Sequence, residues 1–212
     1  MKELLEEIKN TVIAGKYLDI EDLVKKAIQS EANLDDLINH AFIAAMDAVG
    51  DRFSKNEIFV PEMLVSAVTM KKGLDLIKPL LKEEQQKTRG KVILCTVRGD
   101  LHDIGKNLVA MMLEGAGFEV IDLGVDTTVE KVMDKVAEIS PQVLGLSALL
   151  TTTMPEMQNV IRDLQTRGMR EKVKVIIGGA PVNAEFAEKI GADAYGKDAA
   201  EAVNIVRGFI GS

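Results

Sequence analysis

The sequence predicts an α/β protein in two parts: an N-terminal four-helix bundle, then a doubly wound parallel sheet of five strands. Two observations carry this. Residues 1–88 place apolar side chains at helical spacing and contain no strand-like run. After residue 90, short apolar runs alternate with helical patterns five times over. A length of 212 residues allows one large domain or two small ones.

In the first part, Leu4, Leu5, Ile8, Val12 and Ile13 define one apolar face, and Leu23, Val24, Ala27 and Ile28 a second. Leu34, Leu37, Ile38, Ala41, Phe42, Ala45, Met46 and Val49 define a third. The fourth begins at Pro61, whose fixed φ suits a first helical turn, and continues through Met63, Leu64, Ala67, Val68, Met70, Leu74, Ile77 and Leu80. Four amphipathic helices with short connections read as a bundle. The polar run KEEQQKTRG over 82–90 ends in glycine and reads as the linker. The domains expected are therefore 1–88 and 90–212.

In the second part the strands fall at 92–97, 119–123, 143–147, 173–177 and 192–195. The helices fall near 105–116, 128–138, 155–167, 183–190 and 198–210. Strand–helix alternation of this kind makes a parallel sheet with helices on both faces, a flavodoxin/Rossmann-like arrangement. The strands are too uniformly apolar to have a wet face. In such folds ligands bind beyond the carboxyl ends of the strands.

Composition narrows the function classes. At 47% hydrophobic and 28% charged, the chain reads as an ordinary soluble globular protein. Lys+Arg 26 against Asp+Glu 33 leaves a net charge of -7, with pI ≈ 5.0. That argues against nucleic acid as a partner, which needs a basic face, and against an anionic membrane surface. No apolar run reaches the roughly 18 residues of a membrane helix. The charged, amphipathic start at Met1 does not read as a signal peptide. A single cysteine, Cys95, forms no internal disulfide, so a reducing cytoplasm is the expected compartment. Cys95 lies in an apolar strand and reads as core; His40, on a bundle helix, reads as partly exposed.

The functional residues cluster in three loops, each after a strand. After the first comes Arg98-Gly99-Asp100-Leu101-His102-Asp103-Ile104-Gly105-Lys106-Asn107. An Asp and a His two apart can form a carboxylate–imidazole pair, which fixes the tautomer and leaves the second ring nitrogen as a ligand or base. Gly105, where a helix begins, allows a bulky ligand to approach the backbone. After the third strand, Ser147, Thr151, Thr152 and Thr153 cluster four hydroxyls. After the fourth, Gly178 and Gly179 leave a slot against the sheet. Each piece also has a plainer reading. His102 reads equally as a surface residue, Asp100 as a cap of the following helix, the threonines as caps before Pro155, and Gly-Gly as a turn.

Order and spacing discriminate. Asp100-x-His102-x-x-Gly105, then Ser147-x-Leu149, then Gly178-Gly179, resembles the corrinoid-binding domain of methionine synthase and the stand-alone corrinoid proteins of anaerobic methyltransferase systems. The resemblance spans roughly residues 34–212. It implies a cobalamin or related corrinoid bound base-off/His-on. His102 would be the lower axial ligand of cobalt, and Thr153–Asp100–His102 a hydrogen-bonded relay. The loop 99–105 (Gly99, Leu101, Asp103 and Ile104 included) would lie against the cofactor. Gly105, Ser147, Leu149, Thr151, Gly178, Gly179 and Ala199 would wall the slot for the displaced nucleotide tail. Phe53 and Val60 align with two apolar residues that shield the upper cobalt face. A glutamate placed on the cofactor in methionine synthase aligns with Asn39, so that contact is not carried over.

The activity this implies is methyl carriage, with cobalt cycling between methyl-Co(III) and Co(I). A substrate-specific methyltransferase would load the protein, and a second would unload it to a folate or thiol acceptor. A reductive activator of the corrinoid is also implied. The chain would be a carrier subunit rather than a complete enzyme, since no region is large enough for a substrate barrel. Two rival classes share parts of the pattern. An adenosylcobalamin mutase subunit shares the Asp100/His102 loop but normally lacks a helical cap. A cobalamin-dependent sensor needs a basic DNA-binding element that the acidic first half does not offer. A flavodoxin-like module without metal would be colourless.

Overall fold

The computed structural model describes residues 1–55, 57–80 and 88–211. Most of the expected linker, residues 82–87, lies outside the described residues. The chain divides into two compact units, Met1–Lys87 with Gly115–Gly117, and Thr88–Glu114 with Phe118–Ser212.

The first unit is helical: α1 (Lys2–Ile13), α2 (Ile20–Gln29), α3 (Leu34–Asp36), α4 (Ala44–Ser54) and α5 (Val60–Ile77). A π-helical stretch, Leu37–Ile43, joins α3 to α4, so 34–54 runs as one long helix and the described residues of the unit form the four helical rods expected. Asn33 caps its start by accepting from the N–H groups of Asp35 and Asp36. Ile8 and Val12 of α1, Ile20, Val24 and Ala27 of α2, Leu37, Ala41 and Phe42 of the long helix, and Met63, Met70 and Ile77 of α5 are buried. Two expectations fail: Val68 and Leu80 are exposed, while Ser66 and Thr69 are buried instead. Their hydroxyls donate to backbone carbonyls, Ser66 to Ile13 and Thr69 to Val65, so a polar residue sits inward without an orphaned group.

The second unit holds β1 (Lys91–Thr96), α6 (Ile104–Gly115), β2 (Glu119–Asp122), α7 (Val129–Ile139), β3 (Val143–Ser147), α8 (Met154–Thr166), β4 (Lys174–Gly178), α9 (Ala184–Ile190), β5 (Ala194–Tyr195) and α10 (Ala199–Ile210). All pairings are parallel and the order is β2-β1-β3-β4-β5. One core joins Ile93, Cys95, Leu144, Leu146, Val175 and Ile177 of the strands to Met133, Val136, Met157, Ile161, Ala187 and Ile190 of α7, α8 and α9. The alternate side chains Val92, Leu94, Val143 and Ile176 are buried too, which is why the strands show no polar alternation. Cys95 is core, and burial pushes its thiol up to about 12, so it stays an inert thiol.

At the amino end of the sheet, the half-hidden carboxylate of Asp193 accepts from Arg170 Nη2 at 2.7 Å, Lys174 Nζ at 3.0 Å and Val175 N at 2.7 Å. Burial alone would raise its pKa; the Val175 N–H bond, Lys174 and Arg170 outweigh burial and hold it low. A folded-state pKa below the unfolded value stabilises the fold above the unfolded pKa of about 3.9 and loses that contribution as pH falls. Asp193→Asn is therefore expected to unfold more readily than wild type in urea at pH 7, with the gap closing below about pH 4. A gap of constant size down to the lowest pH measured contradicts the assignment.

Candidate functional site

In an order of β2-β1-β3-β4-β5 the winding of the sheet reverses between β1 and β3, and in open α/β sheets ligands bind at such a point, beyond the carboxyl ends of the strands. Thr96, Ser147 and Gly178 align in one row across that edge. The three loops singled out in the sequence leave the sheet from this row. After β1 the backbone turns at Gly99, whose φ of +79° favours glycine. The buried Thr96 hydroxyl then donates to the His102 carbonyl at 2.8 Å, tying the loop back to its own strand.

Asp100 is the centre of the site, and its side chain is fully buried. Oδ1 lies 2.7 Å from His102 Nδ1 and accepts from the His102 backbone N–H at 3.1 Å. Oδ2 accepts from Leu149 N at 2.7 Å, Leu150 N at 3.3 Å and Thr153 Oγ1 at 2.8 Å. Burial pushes this carboxyl up. The hydrogen bonds from Leu149 N, the His102 ring, His102 N and the Thr153 hydroxyl reverse that and hold it well below the usual carboxylate range. An anionic Asp100 assigns the proton to Nδ1, so Nε2 keeps a free lone pair. The His102 side chain is 51% exposed, and Nε2 has no protein partner among the described residues. Thr153 Oγ1 also lies 2.9 Å from the Leu150 carbonyl, but it has one proton and the carboxylate is the stronger acceptor.

These bonds show where Asp100 and Thr153 are engaged. Asp100 is spent on His102 and the β3–α8 loop rather than on capping α6. Thr153 sits at the start of α8 and its side chain makes no cap bond. Thr153 is buried, Ser147 is half-buried, and Thr151 and Thr152 are exposed, so a single hydroxyl of the four enters the relay. Gly179 has φ +126°, and a Cβ there would lie 1.9 Å from the Ala148 carbonyl oxygen. A Cβ on Gly178 would meet the Gly196 carbonyl at 3.1 Å. On their Cβ sides both glycines therefore serve close backbone approach. Ala199 opens α10 and is buried. Phe53 and Val60 belong to the helical unit; Phe53 is half-buried and Val60 exposed.

The surroundings suit a large flat ligand. Leu101, Ile104, Leu149 and Leu150 are all exposed, Ile104 at 86%. Such a set of uncovered apolar side chains beside an exposed imidazole marks a binding face. A Cβ on Gly105 would meet nothing within 4 Å, so the start of α6 is open. Imidazole nitrogen suits transition metals. Among the described residues no group of three or more His, Cys, Asp or Glu could hold a metal ion.

Comparison with known proteins gives the same chemistry. Residues 90–204 match the family described as B12 binding domain, and residues 4–78 match a second family of the same description. The chain belongs to the B12-binding corrinoid proteins. Trimethylamine corrinoid protein 2 of Methanosarcina mazei is 38% identical to it, over 97% of this chain and 95% of that protein. Dimethylamine corrinoid protein 1 of Methanosarcina acetivorans is 40% identical, over 95% of each. The crystal structure of the methanol:cobalamin methyltransferase complex from Methanosarcina barkeri matches with a TM-score of 0.89 and 33% identity, covering 98% of this chain and 80% of that one. No described helix of this B12-binding protein is long and apolar enough to cross a membrane.

Two parts of the site escape a reading of the sequence. The N–H groups of Leu149 and Leu150 act through the backbone, which side-chain identity does not reveal. Asp126 bonds the His102 loop, yet in Gly124-Val125-Asp126 it reads as an ordinary turn residue.

Proposed function

We propose that this protein carries a methyl group on a corrinoid bound base-off/His-on, with His102 Nε2 as the lower axial ligand. The observation that carries this reading is a half-exposed imidazole whose Nδ1 is held by a fully buried, strongly hydrogen-bonded carboxylate. When bound, the corrinoid supplies a cobalt that takes a methyl group from one partner and yields it to another. His102 offers its lone pair to the metal. Asp100 fixes the ring orientation and raises the basicity of the ligand, and Thr153 fixes Asp100 in turn. Asp100, held anionic by its hydrogen bonds, keeps its carboxylate facing Nδ1 of the imidazole. Leu101 and Ile104 would lie against the cofactor, while Gly105, Ser147, Leu149, Thr151, Gly178, Gly179 and Ala199 would line the tail slot.

On the same reading Phe53 and Val60 of the helical unit are the residues that would shield the methyl group; Phe53 is half-buried and Val60 exposed. The sheet unit, 90–212, is expected to bind corrinoid by itself. The partners are a substrate-specific methyltransferase, a second methyltransferase with a folate or thiol acceptor, and a reductive activator. The names of the relatives, which span methylamine and methanol systems, support a carrier whose specificity lies in its partners. Loading the purified protein with methylcobalamin tests the reading. Wild type should show the spectrum of a nitrogen-ligated corrinoid. His102→Ala should retain the cofactor without that signature. Identical spectra overturn the ligand assignment, and a protein that takes up no corrinoid overturns the function.

A further inference from the structure

The loop that carries His102 is gripped from two sides. Asp100 reaches the β3–α8 loop through Leu149, Leu150 and Thr153. On the other side Asp126, in the β2–α7 loop, accepts from Gly99 N through Oδ1 at 2.7 Å, and its own N–H donates to the Asp100 carbonyl at 2.9 Å. One residue thus brackets the Gly99–Asp100 backbone, immediately before His102. Asp126 does this from a φ of +48°, in the left-handed region where side chains with a Cβ are disfavoured. Such a conformation persists only where its surroundings over-determine it. Here Thr96 N donates to the Gly124 carbonyl at 2.9 Å and Thr127 N to the Thr96 carbonyl at 3.0 Å, fixing the turn to the end of β1. Asp126 is exposed, so burial of its own side chain does not explain why an acidic residue holds this place.

We infer that Asp126 is a positioning residue for the axial histidine, clamping the Gly99–Asp100 backbone so that Asp100 and His102 meet the ligand in register. This inference rests on the reading of His102 as the cobalt ligand. Asp126→Gly relieves the left-handed strain and keeps the backbone N–H that reaches the Asp100 carbonyl, so this variant loses only the carboxylate half of the clamp, the bond from Gly99 N. Asp126→Asn keeps an Oδ1 acceptor and tolerates the same φ.

The full-length chain is loaded with methylcobalamin, and the folded fraction from size exclusion is read by absorption and by thermal midpoint. The ratio of His-ligated to unligated cofactor should fall by about 10-fold in Asp126→Gly, the low end expected when a residue behind a metal ligand is lost. Asp126→Asn should restore it. Unchanged ligation in Asp126→Gly, whatever its thermal midpoint, overturns the inference, and so does equal loss in both variants. His102→Ala in parallel separates the two failures. If it alone loses the nitrogen signature, the clamp is wrong. If none of the three changes the spectrum, the ligand assignment itself is wrong.

Discussion

Asp100→Ala is expected to be the most damaging single change in the sheet unit, in stability and in ligation together. The wild-type carboxylate satisfies Leu149 N, Leu150 N, His102 N, the His102 ring and the Thr153 hydroxyl from a fully buried position. Alanine leaves those donors without their acceptor, and water entering the space can serve some of them. Removing one partner of a buried charged network costs about 3–5 kcal/mol. Urea unfolding should report that loss as a lower midpoint at unchanged slope. In the same variant the imidazole loses the partner that fixes its tautomer, so ligation should weaken by about 10–100-fold. Asp100→Asn leaves an amide oxygen to face the His102 ring. It keeps the shape, but the amide nitrogen cannot accept from Leu149 N, Leu150 N or Thr153, so it too should lose stability. An Asp100→Ala protein as stable as wild type would show that the network is solvated rather than buried.

Gly179→Ala is expected to produce the second large effect, through backbone alone. The added Cβ would stand 1.9 Å from the Ala148 carbonyl oxygen, at a φ of +126°. Neither the clash nor the backbone angle can be relieved by a rotamer change, so β4 must move away from the end of β3. Overpacking of this kind costs on the order of 3 kcal/mol. The consequence reaches the site, because Ala148 precedes the two residues whose N–H groups hold Asp100 Oδ2. The variant should therefore lose both thermal stability and His ligation. A variant that loses stability but ligates like wild type would show that the β3–α8 loop moves independently of β4.

Much of this architecture is legible before any coordinates. Five apolar runs gave strands within two residues of their observed bounds, because strands buried on both faces leave no ambiguity about where apolar sequence must go. Asp100, His102 and Thr153 meet because two strand ends are neighbours in the sheet. Strand–helix alternation predicts that neighbourhood, although the residues lie far apart in the chain. Other features leave no trace in side-chain type. The π-helical turn Leu37–Ile43 inserts no polar residue that breaks the apolar period. Val68 fits the helical stripe as well as Met70 does, and only the inward hydrogen bonds of Ser66 and Thr69 reveal which face is buried. Asp126 is ordinary in sequence, since its effect depends on a positive φ and on two backbone groups of another loop.

The central claim is that His102 itself is bonded to cobalt, and electron paramagnetic resonance of the Co(II) form tests it most directly. The axial nitrogen splits each cobalt line, as a triplet for ordinary nitrogen and as a doublet for the heavier isotope. Protein grown on histidine labelled with heavy nitrogen and loaded with ordinary corrinoid should show doublets, and the same labelled protein with His102→Ala should show no axial nitrogen splitting. Triplets in the labelled wild type would place the corrinoid's own base on the metal, and doublets that survive His102→Ala would move the ligand to His40. Either result contradicts the account.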